Sequence, residues 1–214
     1  MNNTIRVDFV SDVVCPWCAI GLSSLEEAIR RVQGEIEVEV NFKPFELNEG
    51  MPAEGENAVQ HIIEKYGSSA EEIARNQVNL RTKGEAVGFR FDLEKRTHFY
   101  NTFDAHRLLY WAETKGHQRS LKHALLKAYF TDGRNVSDPE TLVDIAKLAG
   151  LPEGEARLIV SSDLYAANVR ELEGFNRKRG INGVPAVVFN NKLLLIGSQS
   201  ADYYERALRN IAME

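Results

Sequence analysis

The 214-residue sequence predicts an α/β fold in which strands lie near both ends of the chain and helices fill the middle. Two apolar strand patterns before residue 45 enclose one helical stripe. Residues 50–164 carry helical patterns and no convincing strand, and a buried strand with a hairpin partner follows near the C-terminus. These three observations predict the order βαβ, then a helical insert, then αββα.

The N-terminal unit reads as strand, helix and strand. Apolar and polar residues alternate along residues 5–10, which is typical of a strand that enters a core. An apolar stripe at helical spacing then covers residues 20–32 and ends before Gly34. Strict alternation along residues 36–42 indicates a second strand with one wet face at a sheet edge, and Pro44 should end it. This spacing predicts a right-handed βαβ unit.

Helix start signals divide the middle of the chain. Ser69 and Glu72 have the spacing of a capping box. Asp138 followed by Pro139 is typical of an N-cap residue and a proline in the first turn. We therefore expect an all-helical segment with short connections.

The C-terminal unit begins with a helix over about residues 163–179, followed by a buried strand at residues 183–189. Asn190 and Asn191 predict a two-residue hairpin turn, because asparagine tolerates positive φ. The return strand comes next, and Ser200 is expected to cap a last helix.

The motif Cys15-Pro16-Trp17-Cys18 lies between the first strand and the first helix, and it contains the only two cysteines of the sequence. A strand that leads into a Cys-x-x-Cys turn at the start of a helix is the layout of a thiol–disulfide redox site. Free N–H groups and the helix dipole favour a thiolate at Cys15, and Pro16 suits the first turn. We predict that Cys15 is the outer nucleophile and Cys18 the more buried resolving thiol.

Composition excludes several classes of function. The net charge of −5 gives no sign of a non-specific nucleic-acid binder, and no apolar run approaches the roughly 18 residues of a membrane span. Residues 1–6 lack the pattern of a signal peptide, so we expect a cytoplasmic protein, where a structural disulfide is unfavourable. A structural zinc site wants four ligands and a second cysteine pair is missing, so no metal is predicted.

Three stretches resemble the DsbA family of thiol–disulfide oxidoreductases, and more narrowly its cytoplasmic FrnE-type branch: residues 8–18, 101–108 and 180–185. The resemblance implies a thioredoxin-like fold with an inserted all-helical subdomain. Residues 1–49 and 165–214 would form the thioredoxin-like domain, and residues 50–164 the insert.

The resemblance also implies an activity, that of a protein dithiol–disulfide oxidoreductase or isomerase. Such an enzyme needs no prosthetic cofactor, and glutathione is a candidate reductant. Its partners would be protein or small thiol and disulfide substrates, with no nucleic acid and no membrane, and the protein would be a monomer or homodimer.

Further site residues follow from the same resemblance. Pro185 would be a cis-proline that faces the cysteines, and the backbone of Val184 could pair with an extended substrate. His106 either lines the substrate groove or is a helix histidine satisfied in the core.

An acidic residue beneath the cysteine pair is a further expectation, because relatives use one to accept the proton of the resolving thiol. Asp8 on the first strand could take the proton of Cys18, or it could be an outward-facing strand residue. Asp12, near the end of the same strand, competes for the role.

Two other functions remain open. Kappa-class glutathione transferases and hydroxychromene-carboxylate isomerases belong to the same superfamily and use a single Ser or Cys at the first position of the motif. The presence of both Cys15 and Cys18 favours redox chemistry over glutathione-dependent transfer or isomerisation. A non-catalytic binding protein or chaperone that uses the insert would not need either cysteine.

Trp17 gives the first prediction, because the best-known periplasmic relatives carry a histidine at this place between the cysteines. Tryptophan offers no positive charge to a thiolate, so the Cys15–Cys18 pair should be less strongly oxidising than a pair with histidine. We expect Trp17→His to raise the reduction potential, measured by equilibration with glutathione. An unchanged or lower potential in the variant would contradict this interpretation.

Overall fold

The computed structural model describes residues 4–213 and contains strands and helices in alternation. The expectation about a signal peptide rests on residues 1–6, of which residues 1–3 lie outside this range. Within it, no helix is both long and apolar enough to cross a membrane. In chain order, the elements are β1 Ile5–Ser11, α1 Pro16–Arg31, β2 Val38–Pro44, β3 Glu56–Asn57, α2 Ala58–Tyr66, α3 Ala70–Ala86, β4 His98–Phe99, α4 Phe103–Thr114, α5 Gln118–Phe130, α6 Pro139–Leu148, α7 Glu153–Val160, α8 Ala166–Lys178, β5 Ala186–Phe189, β6 Leu193–Ile196 and α9 Ala201–Ala212.

A four-stranded sheet in the order β2-β1-β5-β6 joins the two ends of the chain. Strand β1 pairs in parallel with β2 and antiparallel with β5, and β5 pairs antiparallel with β6. The predicted order βαβ…αββα is confirmed, and β2 lies at an edge of the sheet as its alternation indicated. Val10 lies opposite Ala186, so the end of β1 is next to the start of β5.

The turn between β5 and β6 has the predicted geometry. Asn190 and Asn191 adopt positive φ values of 47° and 56°. The Asn190 side chain also accepts a hydrogen bond of 2.9 Å from the backbone N–H of Arg6, which links the turn to β1. Local sequence therefore determines both the turn and its attachment.

The middle segment differs from its prediction in two places. Strands β3 and β4 form a two-residue antiparallel ribbon, too short to show any period in the sequence. Helix α7 has eight residues and no side-chain N-cap, so it lacks the start signal that identified other helices.

The first helix of the C-terminal unit is shorter than predicted. The predicted helix over residues 163–179 begins later, at Ala166, because Tyr165 has a left-handed backbone with φ 63°.

One continuous apolar core joins the sheet to the helical segment. Leu22 and Leu25 of α1 belong to the same buried cluster as Leu121 and Leu125 of α5. Helices α4, α5 and α8 pack against β2, and α1 packs against α9. The boundaries at residues 49/50 and 164/165 stay a prediction, since this core crosses both.

Candidate active site

The cysteine motif is held at the start of α1. Cys15 is the N-cap residue, with an extended backbone, and Pro16 occupies the first turn. The backbone N–H of Cys18 donates to the Cys15 carbonyl at 3.1 Å. No acidic side chain lies in the first turn of the helix, so the positive end of the dipole faces the motif without a competing negative charge.

The two thiols are free, and both side chains are buried. Cys15 is 3% exposed and Cys18 is 0% exposed. The Cys15 thiol donates a 3.7 Å hydrogen bond to the carbonyl of Val184, and the Val184–Pro185 peptide bond is cis, as the resemblance implied. The loop before β5 therefore lies directly against the outer sulfur.

Gly21 allows this loop to approach α1, and the sequence analysis missed it. A Cβ atom at Gly21 would lie 3.3 Å from both Pro185 Cγ and Ser198 Oγ. The carbonyl of Pro185 is fixed from the other side by a 2.8 Å hydrogen bond from the N–H of Gly197. A glycine inside a helix with no turn to explain it is the signal that could have revealed a close approach.

A groove of about 500 Å³ gives access to the outer sulfur. This Cys15 groove is lined by Cys15, Trp17 and Val184 on one side and by Ile62, Tyr66 and Leu80 of α2 and α3 on the other. Trp17 is 38% exposed beside it. Cys15 is therefore reachable in spite of its small exposure, and Cys18, which does not line the groove, is not.

A buried carboxylate, Asp12, lies at the end of β1. Its oxygens accept backbone hydrogen bonds from Val13 at 2.7 Å and Leu47 at 2.8 Å. Nε2 of His106 lies 3.2 Å from Asp12 Oδ1 and 3.2 Å from the carbonyl of Phe45. Because both neighbours of Nε2 are acceptors, that nitrogen carries the proton.

These donors set the protonation of Asp12. Burial alone would raise the pKa of its carboxyl, but the His106 hydrogen bond and charge, the Leu47 N–H and the charge of Lys122 outweigh burial, and the pKa lies below its usual value. Asp12 is therefore held as an anion. An anion stabilised in this way is a poor acceptor for a proton from a thiol.

For two residues the structure favours one of the two alternatives that the sequence left open. The Asp8 carboxylate pairs with Arg6 at 3.4 Å, and Arg6 is a half-exposed residue of the same strand, which favours the outward-facing alternative for Asp8. His106 is 2% exposed and does not line the Cys15 groove, so it has no route to substrate there. Strand alternation could not distinguish Asp8 from Asp12, because the strand is buried over most of its length.

Lys122 is a second buried charge that the sequence analysis did not single out. It lies on α5, is 0% exposed, and its Nζ has no hydrogen-bond partner among the residues that the structure describes. Burial lowers the pKa of Lys122, against the charges of Cys18, Asp12 and Cys15, which raise it. The ammonium is thus the cation that acts on the inner thiol and on Asp12 together.

Burial is also the largest influence on the pKa of the inner thiol, Cys18. It raises this pKa well above its ordinary value, and the hydrogen bond with Cys15 raises it further. The charge of Lys122 and the backbone of Asp12 act in the opposite direction. Cys18 is therefore protonated at rest, and its ionisation depends on these two neighbours.

One group of side chains within residues 4–213 has the spacing of a metal site, and it does not include the cysteines. Glu46, Glu49 and Glu173 place carboxylate oxygens within 4.8 Å of one another. Arg170 forms hydrogen bonds with all three. The guanidinium already supplies the positive charge that such a cluster needs.

Comparisons with known proteins agree with this geometry. The family model for DSBA-like thioredoxin domains matches residues 6–209. The crystal structure of a probable DsbA oxidoreductase, SCO1869 from Streptomyces coelicolor, is 33% identical with a TM-score of 0.92, over 98% of this chain and 91% of that chain. Two more distant structures, each 15% identical, share the fold. They are a 2-hydroxychromene-2-carboxylate isomerase (TM-score 0.70, 96% and 95% covered) and the cytosolic disulfide reductase DsbM from Pseudomonas aeruginosa with GSH (TM-score 0.66, 98% and 100% covered).

The hydrogen bonds of Asp12 give a prediction about stability. Asp12→Asn removes the anion that faces Lys122 and His106, and it places an amide N–H₂ against backbone donors. We expect a loss of about 3 kcal/mol in the free energy of unfolding at pH 7, measured by urea denaturation. The matched control Asp8→Asn, in a partly exposed ion pair, should cost less than about 1 kcal/mol.

The difference in free energy of unfolding between wild type and Asp12→Asn should change with pH in one direction. The pKa of Asp12 is lower in the folded protein than the unfolded value of about 3.9, so its stabilisation is complete above that value and is lost as the pH falls through the folded pKa. The gap between wild type and Asp12→Asn should therefore shrink on acidification. A gap that stays constant down to pH 2 would contradict the assignment.

Proposed function

Because the chain belongs to the family of DSBA-like thioredoxin domains, which are thiol–disulfide oxidoreductases, we propose that Cys15 and Cys18 carry out dithiol–disulfide exchange, as an oxidoreductase or isomerase. The observation that carries the proposal is the position of the outer sulfur. Cys15 lies at the start of α1, 3.7 Å from the carbonyl of Val184, and lines an open groove.

Exchange proceeds in two displacements. The Cys15 thiolate attacks one sulfur of a substrate disulfide, which forms a mixed disulfide and releases the first substrate thiol. The Cys18 thiolate then attacks the Cys15 sulfur, releases the second substrate thiol and leaves a Cys15–Cys18 disulfide. Two electrons pass to the substrate, and the reverse sequence oxidises a substrate dithiol.

The second displacement requires a thiolate where burial opposes one. Asp12 is held as an anion by its donors and is not the group that takes the proton from Cys18. Lys122, as an ammonium, cannot take this proton either; its charge instead favours the thiolate form of Cys18. We assign Lys122 to stabilise the charge of the resolving thiolate, with Asp12 and His106 as positioning residues.

The remaining groups position the substrate. Pro16 fixes the first turn of α1, and Trp17 forms an apolar wall of the groove. Pro185 has no N–H, so it offers the sulfurs no backbone donor. The backbone of Val184 is then the site where an extended substrate could pair.

The setting of the reaction follows the same premise. We assign the enzyme to the cytoplasm, and its likeness to a cytosolic disulfide reductase supports this. No prosthetic cofactor is needed. Protein and small thiols both qualify as substrates, and glutathione as reductant agrees with the presence of GSH in the DsbM structure.

A glutathione-dependent transferase or isomerase is the alternative, since an isomerase shares the fold. The two functions differ in what they ask of Cys18. Exchange needs it, whereas the alternative needs only the first position of the motif.

Replacing the resolving thiol tests the function. Cys18→Ser should react once with a disulfide substrate and remain as the Cys15 mixed disulfide, because no second thiolate is available to release it. We expect loss of multiple turnover and a mass increase equal to one substrate thiol, read by intact-protein mass spectrometry. Full turnover by Cys18→Ser would favour the alternative instead, and Cys15→Ser, as control, should trap nothing.

Lys122 is tested in the release step. Lys122→Met keeps the length of the side chain and replaces an ammonium that makes no hydrogen bond within residues 4–213, and Asp12 keeps its contacts with Val13, Leu47 and His106, so the fold should tolerate it. We expect release of a preformed Cys15 mixed disulfide to slow about three- to tenfold at pH 7. A tenfold loss of thiolate is partly offset by the greater nucleophilicity of a more basic sulfur.

The pH profile separates this role from a structural one. Release should accelerate with rising pH in both proteins as Cys18 ionises, with the midpoint displaced to higher pH in Lys122→Met. Lys127→Met removes an exposed lysine of the same helix and should leave the profile unchanged. A superimposable profile in Lys122→Met would remove Lys122 from the mechanism.

A further inference from the structure

We propose that the Cys15 groove takes small thiols and disulfides that carry a carboxylate beside an apolar body, and that Arg96 binds this carboxylate. The inference rests on the exchange chemistry proposed above and adds the substrate class. Two independent observations carry it. One is that Arg96 is buried with no ionic partner among the described residues, and the other is that the residues lining the groove include no carboxylate.

Arg96 is a buried cation without a counter-ion. It is 8% exposed, and its Nε has no hydrogen-bond partner among the residues that the structure describes. Its guanidinium carbon lies 4.8 Å from the centre of the Phe99 ring and near the Tyr129 hydroxyl. None of the ion pairs found within residues 4–213 includes it. A buried charge without an ionic partner is costly, and functional sites are where such a cost is retained.

The other buried arginine shows how this chain satisfies a guanidinium that has only a structural role. Arg107 is 4% exposed and pairs with Asp104 at 2.6 Å. It also donates to the carbonyl of Leu164 at 2.8 Å and to two more carbonyls. Every face of Arg107 is occupied by the protein. Arg96 has no such set of acceptors: its guanidinium contacts the Tyr129 hydroxyl and the Phe99 ring, and because Arg96 also lines the groove, its remaining donors can serve a ligand there.

The charge of the groove points to an anion. The chain has 31 acidic and 26 basic residues, yet none of the described residues that line the groove is an aspartate or glutamate. Arg96 is the only arginine or lysine among them. A planar guanidinium in such surroundings is suited to bidentate binding of a carboxylate.

The size and walls of the groove define the rest of the ligand. A volume of about 500 Å³ lies within the range of small-molecule sites and holds one small ligand rather than a folded surface. Ile62, Ile73, Leu80 and Phe99 supply apolar wall in the same groove as the sulfur and the guanidinium. A ligand that reaches both must therefore have sulfur at one end, a carboxylate at the other and an apolar body between them.

The chemistry balances without a further reactant. The Cys15 thiolate displaces one half of a carboxylated disulfide as a thiolate and joins the other half. Cys18 then releases the second half, with two electrons passed from the cysteine pair to the substrate. Arg96 takes no part in bond making. It is a substrate-binding residue that acts on affinity and on the orientation of the bound disulfide.

The test compares two disulfides that differ only in charge, bis(4-carboxyphenyl) disulfide and bis(4-carbamoylphenyl) disulfide. Rates of reaction with the reduced full-length protein are measured by stopped flow and divided by the rates with 2-mercaptoethanol, which corrects for intrinsic reactivity. We expect the wild type to prefer the carboxylate by about tenfold after this correction, the value of one charge-assisted contact. A corrected ratio of one or less overturns the proposal, and this arm needs no substitution.

Three variants locate the preference. Arg96→Met, which removes the charge at similar length, should lower the corrected ratio to near one. Arg96→Lys, which keeps the charge and loses the planar fork, should retain part of the ratio. Arg90→Met removes an exposed arginine outside the groove and should retain all of it. An equal fall in Arg90→Met would mean long-range attraction and would overturn the assignment to Arg96.

The failure of this inference and the failure of the proposed function look different. If neither disulfide converts the reduced protein to the Cys15–Cys18 disulfide, the exchange activity itself is wrong. If both disulfides react at equal corrected rates, or if the preference survives in Arg96→Met, exchange stands and only the substrate class is wrong.

Discussion

The structure depends on one contact, between the first turn of α1 and the loop that precedes β5. Strand β1 delivers Cys15 to this place and β5 delivers Val184, and the antiparallel pairing of the two strands fixes their ends beside each other. Gly21 leaves room for Pro185 against the helix. Sequence positions about 170 residues apart thus meet at one sulfur, 3.7 Å from a carbonyl. Groove, nucleophile and backbone acceptor all follow from that approach.

The two sulfurs of the motif face opposite electrostatic conditions. Cys15 has the helix N-terminus on one side and the open groove on the other, whereas Cys18 is enclosed and holds its proton strongly. The groups that act on Cys18, or on Asp12 beside it, come from three separate elements. Asp12 follows β1, His106 lies on α4 and Lys122 lies on α5. The redox centre is therefore assembled by the whole fold rather than by the four residues of the motif alone.

Much of this fold could be predicted from the sequence, because the decisive signals were local. The alternation that predicted strands near residues 5–10 and 36–42, the capping box at Ser69 and the asparagine turn are short-range patterns, and the structure has both strands, the capping box and the turn. The choice between Asp8 and Asp12 depended instead on which face of a buried strand meets α4.

Side chains that matter through long-range contacts were missed for the same reason. Lys122 and Arg96 look like ordinary surface cations in a sequence. Only tertiary packing shows that they are buried, and that Lys122 Nζ and Arg96 Nε find no hydrogen-bond partner in the described part of the chain. Helix α7 and the β3–β4 ribbon were missed because they are too short to show a period or a cap.

The core that α1 shares with α5 links local opening of the helical segment to the ionisation of Cys18. Leu22 packs in the same cluster as Leu121, which is adjacent in sequence to Lys122. Any opening that admits water around α5 hydrates the ammonium and the inner thiol together, and it lowers the cost of charge on both. The fraction of Cys18 that is ionised then depends on how often α5 opens.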